Sequence, residues 1–93
     1  EIEVQEIVVN MNQALRCICV DKISLSKKDR SFIVGCDSGQ LIHYKQMWFS
    51  KKNILLFPGA NSPVCSIAWR GNIVAWADEN HVRIMDVVHL FYV

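Results

Sequence analysis

Ser66-Ile67-Ala68-Trp69-Arg70-Gly71-Asn72-Ile73-Val74-Ala75-Trp76-Ala77 is the stretch on which the fold turns. Two apolar runs flank Gly71-Asn72, and such a two-residue connection marks a β-hairpin whose primed turn matches the twist of its strands. With those residues as the turn, Arg70 opposes Ile73, Trp69 opposes Val74 and Ile67 opposes Trp76. Side chains alternate across a strand. One face therefore carries Cys65, Ile67, Trp69, Val74 and Trp76, and the other Ser66, Ala68, Ala75 and Ala77. The first is bulky, the second small. A sheet apolar on both faces must be covered on both, and no segment of the chain keeps a helical period, so another sheet has to cover it. Radial stacking of four-stranded sheets, bulky face on small face, meets that need. The expected class is all-β: antiparallel four-stranded blades, about two of them, from a larger β-propeller.

Working outward, β-branched and aromatic stretches separated by Gly, Asn, Asp, Ser and Pro place strands at residues 2–9, 14–20, 32–36, 41–44, 54–57, 64–69, 73–77 and 82–87. Ile33-Val34-Gly35-Cys36-Asp37-Ser38-Gly39-Gln40-Leu41 aligns without a gap on Val74-Ala75-Trp76-Ala77-Asp78-Glu79-Asn80-His81-Val82, an offset of 41 residues. Gly39 and Asn80 fall on matching positions, and both residue types tolerate positive φ. A period of about 40–45 residues is that of propeller blades. The expected organisation is an outer strand of a preceding blade and a linker over residues 1–13, a blade over 14–57, and a following, incomplete blade over 58–93.

At 52% hydrophobic and 20% charged, 93 residues hold more core-forming side chains than a small domain can bury. A fragment is expected, and in isolation it should self-associate through open sheet edges and blade faces. Ten basic and nine acidic residues leave a charge of +1, which gives no electrostatic case for nucleic acid. Lys27, Lys28 and Arg30, and again Lys51 and Lys52, fall where loops are expected and read as solvated charge, with lipid headgroups as the alternative. Neither a signal peptide nor an Asn-x-Ser/Thr acceptor appears, so the cytosol is the expected compartment for the four cysteines. No apolar run approaches the roughly 20 residues that span a bilayer. Membrane association is expected to be peripheral.

The hairpin stretch, continued through Val82-Arg83-Ile84-Met85-Asp86-Val87, resembles the amino-terminal propeller of the Vps41 type, the vacuolar protein sorting subunit peculiar to the HOPS tethering complex. Trp69-Arg70-Gly71 followed by Ile73-Val74-Ala75-Trp76-Ala77 is the specific part. Phe32-Ile33-Val34-Gly35 and residues 48–56, with their lysine pair, fit the family's preceding blade. The likeness covers residues 31–87 and departs from the family at His81, where Gly is usual, and in the tail His89-Leu90-Phe91-Tyr92-Val93, which is more apolar than a polar outer strand. The resemblance implies a protein–protein docking scaffold without catalytic or cofactor residues. Its implied partners are other tethering-complex subunits and a late-endosomal Rab GTPase or adaptor. Its implied location is cytoplasmic, peripheral on the late endosome, lysosome or vacuole membrane.

Cys17-Ile18-Cys19, with Cys36, Cys65 and His43, is the nearest approach to a metal set. Structural zinc favours Cys-x₂₋₄-Cys on turns, whereas Cys-x-Cys on a strand reads as small buried hydrophobes. A small zinc-binding domain is the alternative from another class, and a propeller scaffold of an unrelated complex is the alternative within this one. Asp37-Ser38-Gly39 echoes a serine nucleophile loop but is ordinary turn chemistry between strands. No catalytic, metal or cofactor residue is assigned. Trp69, Gly71 and Trp76 are assigned to structure, and Trp48, Phe49, Lys51 and Lys52 to partner contact.

Overall fold

The computed structural model describes residues 8–21, 30–46 and 50–92, and in them eight antiparallel strands form two four-stranded sheets, each a meander in chain order. The first holds β1 (Leu15–Val20), β2 (Arg30–Cys36), β3 (Leu41–Gln46) and β4 (Lys51–Phe57). The second holds β5 (Ser66–Arg70), β6 (Ile73–Ala77), β7 (Val82–Asp86) and β8 (Phe91–Tyr92). Of the strand expected over 2–9, residues 2–7 lie outside the described residues, and Val8 and Val9 are not in a strand.

β5 and β6 pair in the register expected from the hairpin, Ile67 opposite Trp76, Trp69 opposite Val74 and Arg70 opposite Ile73. Gly71 has φ 59, and Asn72 is not among the positive-φ residues, the pattern of a type II′ turn. Packing does not demand this glycine, because a Cβ there would meet nothing within 4 Å. The backbone demands it.

The two sheets stack face to face around Ile33, Leu41, Leu56, Val64, Val74, Trp76 and Met85, with Cys17, Ile54, Ile67 and Trp69 packed at the margin. The bulky face of the second sheet therefore meets a mixed face of the first, large at Ile33, Leu41 and Leu56 and recessed at Gly35, where a uniformly small face was expected. Val64 fills the recess. A Cβ on Gly35 would lie 2.5 Å from Val64 Cγ1 and 2.9 Å from Cys17 Sγ.

The repeat is not gapless in space. Ile33 and Val74, matched by the offset of 41, both point into the shared core, each from the side of its own sheet that faces the other. In a ring of like blades, equivalent residues must point the same way round. The difference lies in the loops. Cys36 N–H donates to the Gln40 carbonyl across the three-residue loop 37–39, whereas Asp78 N–H donates to the His81 carbonyl across the two residues 79–80. One residue of slip exchanges the faces of a strand. Cross-strand pairing accordingly makes Ala75 opposite Ile84 the counterpart of Ile33 opposite His43, and Ala77 opposite Val82 the counterpart of Gly35 opposite Leu41. The turns also differ in chemistry: Gly39 takes φ 88, but Asn80 takes no positive φ. Asp78 makes that unnecessary, because its Oδ1 accepts from the Asn80 and His81 backbone N–H groups at 2.8 Å each.

Candidate docking surface

Trp76 is buried at 2% exposure, tilted against Phe57 at 5.6 Å between centroids. Trp69 is half-buried on the same face of its sheet, edge-on to His43 at 5.1 Å, and its indole N–H donates to the Gly71 carbonyl at 3.0 Å. Both rings thus line the seam between sheets. At the seam's outer end, Arg83 lies 4.6 Å over the Phe57 ring and donates to Asp78 Oδ2 at 2.8 Å, and the Tyr92 hydroxyl donates to the Leu56 carbonyl at 3.0 Å. Hydrogen bonds from Asn80, Arg83 and His81 hold the Asp78 carboxyl well below its usual range. The Phe57–Arg83 clasp joins residues from different sheets and has no local signal in the sequence.

His43 sits inside the seam at 3% exposure, its Nε2 within 2.5 Å of Ser31 Oγ and its Nδ1 without a partner. Burial holds its pKa down to about 4, helped by Lys45 and opposed by Asp21. This Ser–His contact is not an accessible nucleophile and base: Trp69 covers it, and no carboxylate orients the ring. Ser38 is exposed in loop 37–39, while His81 and His89 contact Asp78 and Asp86 within their own turns.

Cys36 is buried, Cys17 and Cys19 are half-buried and Cys65 is exposed. The Cys17 thiol donates to the Val64 carbonyl at 3.5 Å, and burial pushes its pKa and that of Cys36 up. Among the described residues no group of three or more His, Cys, Asp or Glu side chains could hold a metal ion. No helix among them is long and apolar enough to cross a membrane.

Two of the exposed surfaces among the described residues bear on docking. The side of the second sheet turned away from the first exposes Ile73, Val82 and Ile84 beside Ala68 and Ala75. The other is the edge of the first sheet at β4. Trp48 and Phe49 lie outside the described residues, but Lys51 and Lys52 are exposed and belong to the strand itself, not to the loop expected there. They extend β4 because Lys51 pairs with Gln46 and Lys52 with Lys45. Lys45 escaped the reading of the sequence, since only cross-strand register brings it to the pair.

The profile of the Vps41 propeller, described as "Vps42 beta-propeller", matches residues 2–90. The chain belongs to the Vps41 β-propeller family. Its two meandering sheets are propeller blades. Similar proteins include the vacuolar protein sorting-associated protein 41 homologs of Arabidopsis thaliana, 29% identical over 75 residues, and of Solanum lycopersicum, 27% identical over 75 residues. The homolog of Danio rerio is 22% identical over 78 residues. These matches cover 81–84% of the chain but only 8–9% of the relatives' own length. No solved structure matches the chain significantly.

Proposed function

We propose that this Vps41-family chain contributes blades to a protein–protein docking scaffold for vesicle-mediated transport to the vacuole or lysosome, and that it performs no catalysis. Membership of the family, with relatives named for vacuolar protein sorting, carries the reading. The partners are other subunits of a HOPS-type tethering complex and a late-endosomal Rab GTPase or adaptor, met in the cytoplasm at the membrane surface. Residues 14–57 form one blade and 58–93 belong to the next.

The open face of the second sheet supports a longer ring. Its residues Ala75, Ala77, Val82 and Ile84 are the counterparts of Ile33, Gly35, Leu41 and His43, which the second sheet covers. By the same rotation, a further blade covers Ala75 to Ile84, and the isolated 93 residues self-associate through that face. The reading is tested in cells lacking the full-length protein, complemented with the wild type or with Trp76→Ala. Missorting of a vacuolar hydrolase, rescued only by the wild type, with loss of tethering-subunit co-purification in the variant, is the expected result. Normal sorting in cells without the protein would refute it.

A further inference from the structure

We propose that the amino-terminal half of β4 is a docking edge for an acidic, extended segment of a partner protein, which adds to the first sheet as another strand. β4 ends its sheet, so one side of its backbone has no strand beside it among the described residues. The far half is closed to such addition. The register slips between Leu41 and Ile42, which face Phe57 and Leu55 and leave Leu56 as a bulged residue, and the Leu56 carbonyl is taken by the Tyr92 hydroxyl. Among the described residues no strand pairs along the near half, which carries Lys51 and Lys52, with Lys45 directly opposite Lys52.

Like charges directly opposite on paired strands destabilise a sheet, and none of the salt bridges among the described residues involves these lysines. Among the described residues the three lysines have no counter-charge, and carboxylates of a partner would supply one. Its shape selects the kind. Lys51 projects on one face of the sheet and Lys52, with Lys45, on the other. A lipid surface meets one face at a time, whereas an added strand presents successive side chains to both, so adjacent acidic residues within it reach all three lysines. The same charges repel a second lysine edge, which excludes pairing between copies of β4.

This inference takes the docking-scaffold reading as its frame, but its test does not depend on sorting. The full-length protein is titrated with a fluorescent octapeptide of alternating valine and threonine, with two adjacent glutamates at its centre. Saturable binding is expected, weakened by about tenfold or more in the Lys45→Glu/Lys51→Glu/Lys52→Glu variant and regained when lysines replace the peptide's glutamates. N-methylation of alternate peptide amides should abolish binding in one phase and spare it in the other, as strand addition requires. Circular dichroism verifies the fold of the variant, and Lys51→Ala/Lys52→Ala carries the same comparison if the triple change does not fold. The proposal is overturned by absence of binding, by indifference to charge reversal, by indifference to both N-methylation phases, or by lysine-dependent capture of phosphatidylserine vesicles without capture of the peptide. A protein that binds the peptide through these lysines yet does not sort leaves the edge assignment standing and overturns the sorting reading.

Discussion

Gly35→Ala tests how the two blades touch. The new Cβ would stand 2.5 Å from Val64 Cγ1 and 2.6 Å from Val64 Cβ, where carbon atoms in contact settle near 3.5–4.0 Å. Val64 cannot swing aside, because it is 1% exposed and its backbone is held at both ends. Its N–H donates to the Cys36 carbonyl at 3.2 Å, its carbonyl accepts the Cys17 thiol at 3.5 Å, and the next N–H, of Cys65, donates to Ala77 at 2.7 Å. Overpacking a rigid site costs about 1–3 kcal/mol, and this one belongs near the upper end. Val64→Ala alone loses two buried methyl groups and leaves a small cavity, about 2 kcal/mol. The double variant removes the Cγ1 clash but keeps the Cβ–Cβ approach, so it should be about 1 kcal/mol more stable than the sum of the single changes. Urea denaturation of the propeller, followed by far-ultraviolet circular dichroism, measures all four corners of the cycle. Additivity within about 0.5 kcal/mol would mean that the residues do not touch and that the sheets pack otherwise.

Gly71→Val should cost about 1–3 kcal/mol through backbone strain alone, since φ is 59 and no atom lies within 4 Å of the added Cβ. Thermal denaturation reads it, and a neutral result would contradict the turn. Trp76→Ala should cost about 3–5 kcal/mol and Trp69→Ala roughly half of that, in proportion to burial. Soluble yield should fall for both before partner affinity does, and normal folding with lost binding would make the rings a contact surface. His43 makes the seam pH-dependent. Its folded pKa of about 4 lies below the ordinary value near 6.5, so the unfolded chain takes up the proton first. The stability is complete above about pH 6.5 and is lost as pH falls through 4, by on the order of 2–3 kcal/mol. The difference in unfolding free energy between wild type and His43→Leu, measured at about pH 7.5 and pH 5, should therefore shrink or reverse on acidification.

The lysines of the candidate docking edge and the residues of the seam divide by how far their partners lie along the chain. Lys51 and Lys52 stand out as a pair in the sequence, but their place in a strand follows from pairing with Gln46 and Lys45 across the β3–β4 turn. Asp78 and Arg83 bracket one hairpin and are legible together, whereas the ring under Arg83 is Phe57 of the other sheet. His43 reads as one histidine among three until Trp69 closes over it.

The part of the fold legible in the residues alone is local. Alternation around Gly71-Asn72 set a hairpin, its register and its two faces, because a two-residue turn leaves one pairing that keeps like side chains together. The recurrence of strand, Asp, turn and strand marked the blades, and the hairpin residues pointed to the family. Which face of one blade meets which face of the next was decided only in three dimensions. The gapless repeat hid one residue of difference between the loops at 37–39 and 79–80, and that single residue exchanges the faces of β2 and β6. The recess at Gly35 belongs to the same category, since a glycine in a strand announces a close approach but not the Val64 that makes it. Side-chain direction along a strand follows from the chain's own alternation. Contact between sheets depends on where two distant strands lie, and no periodicity within either encodes that distance.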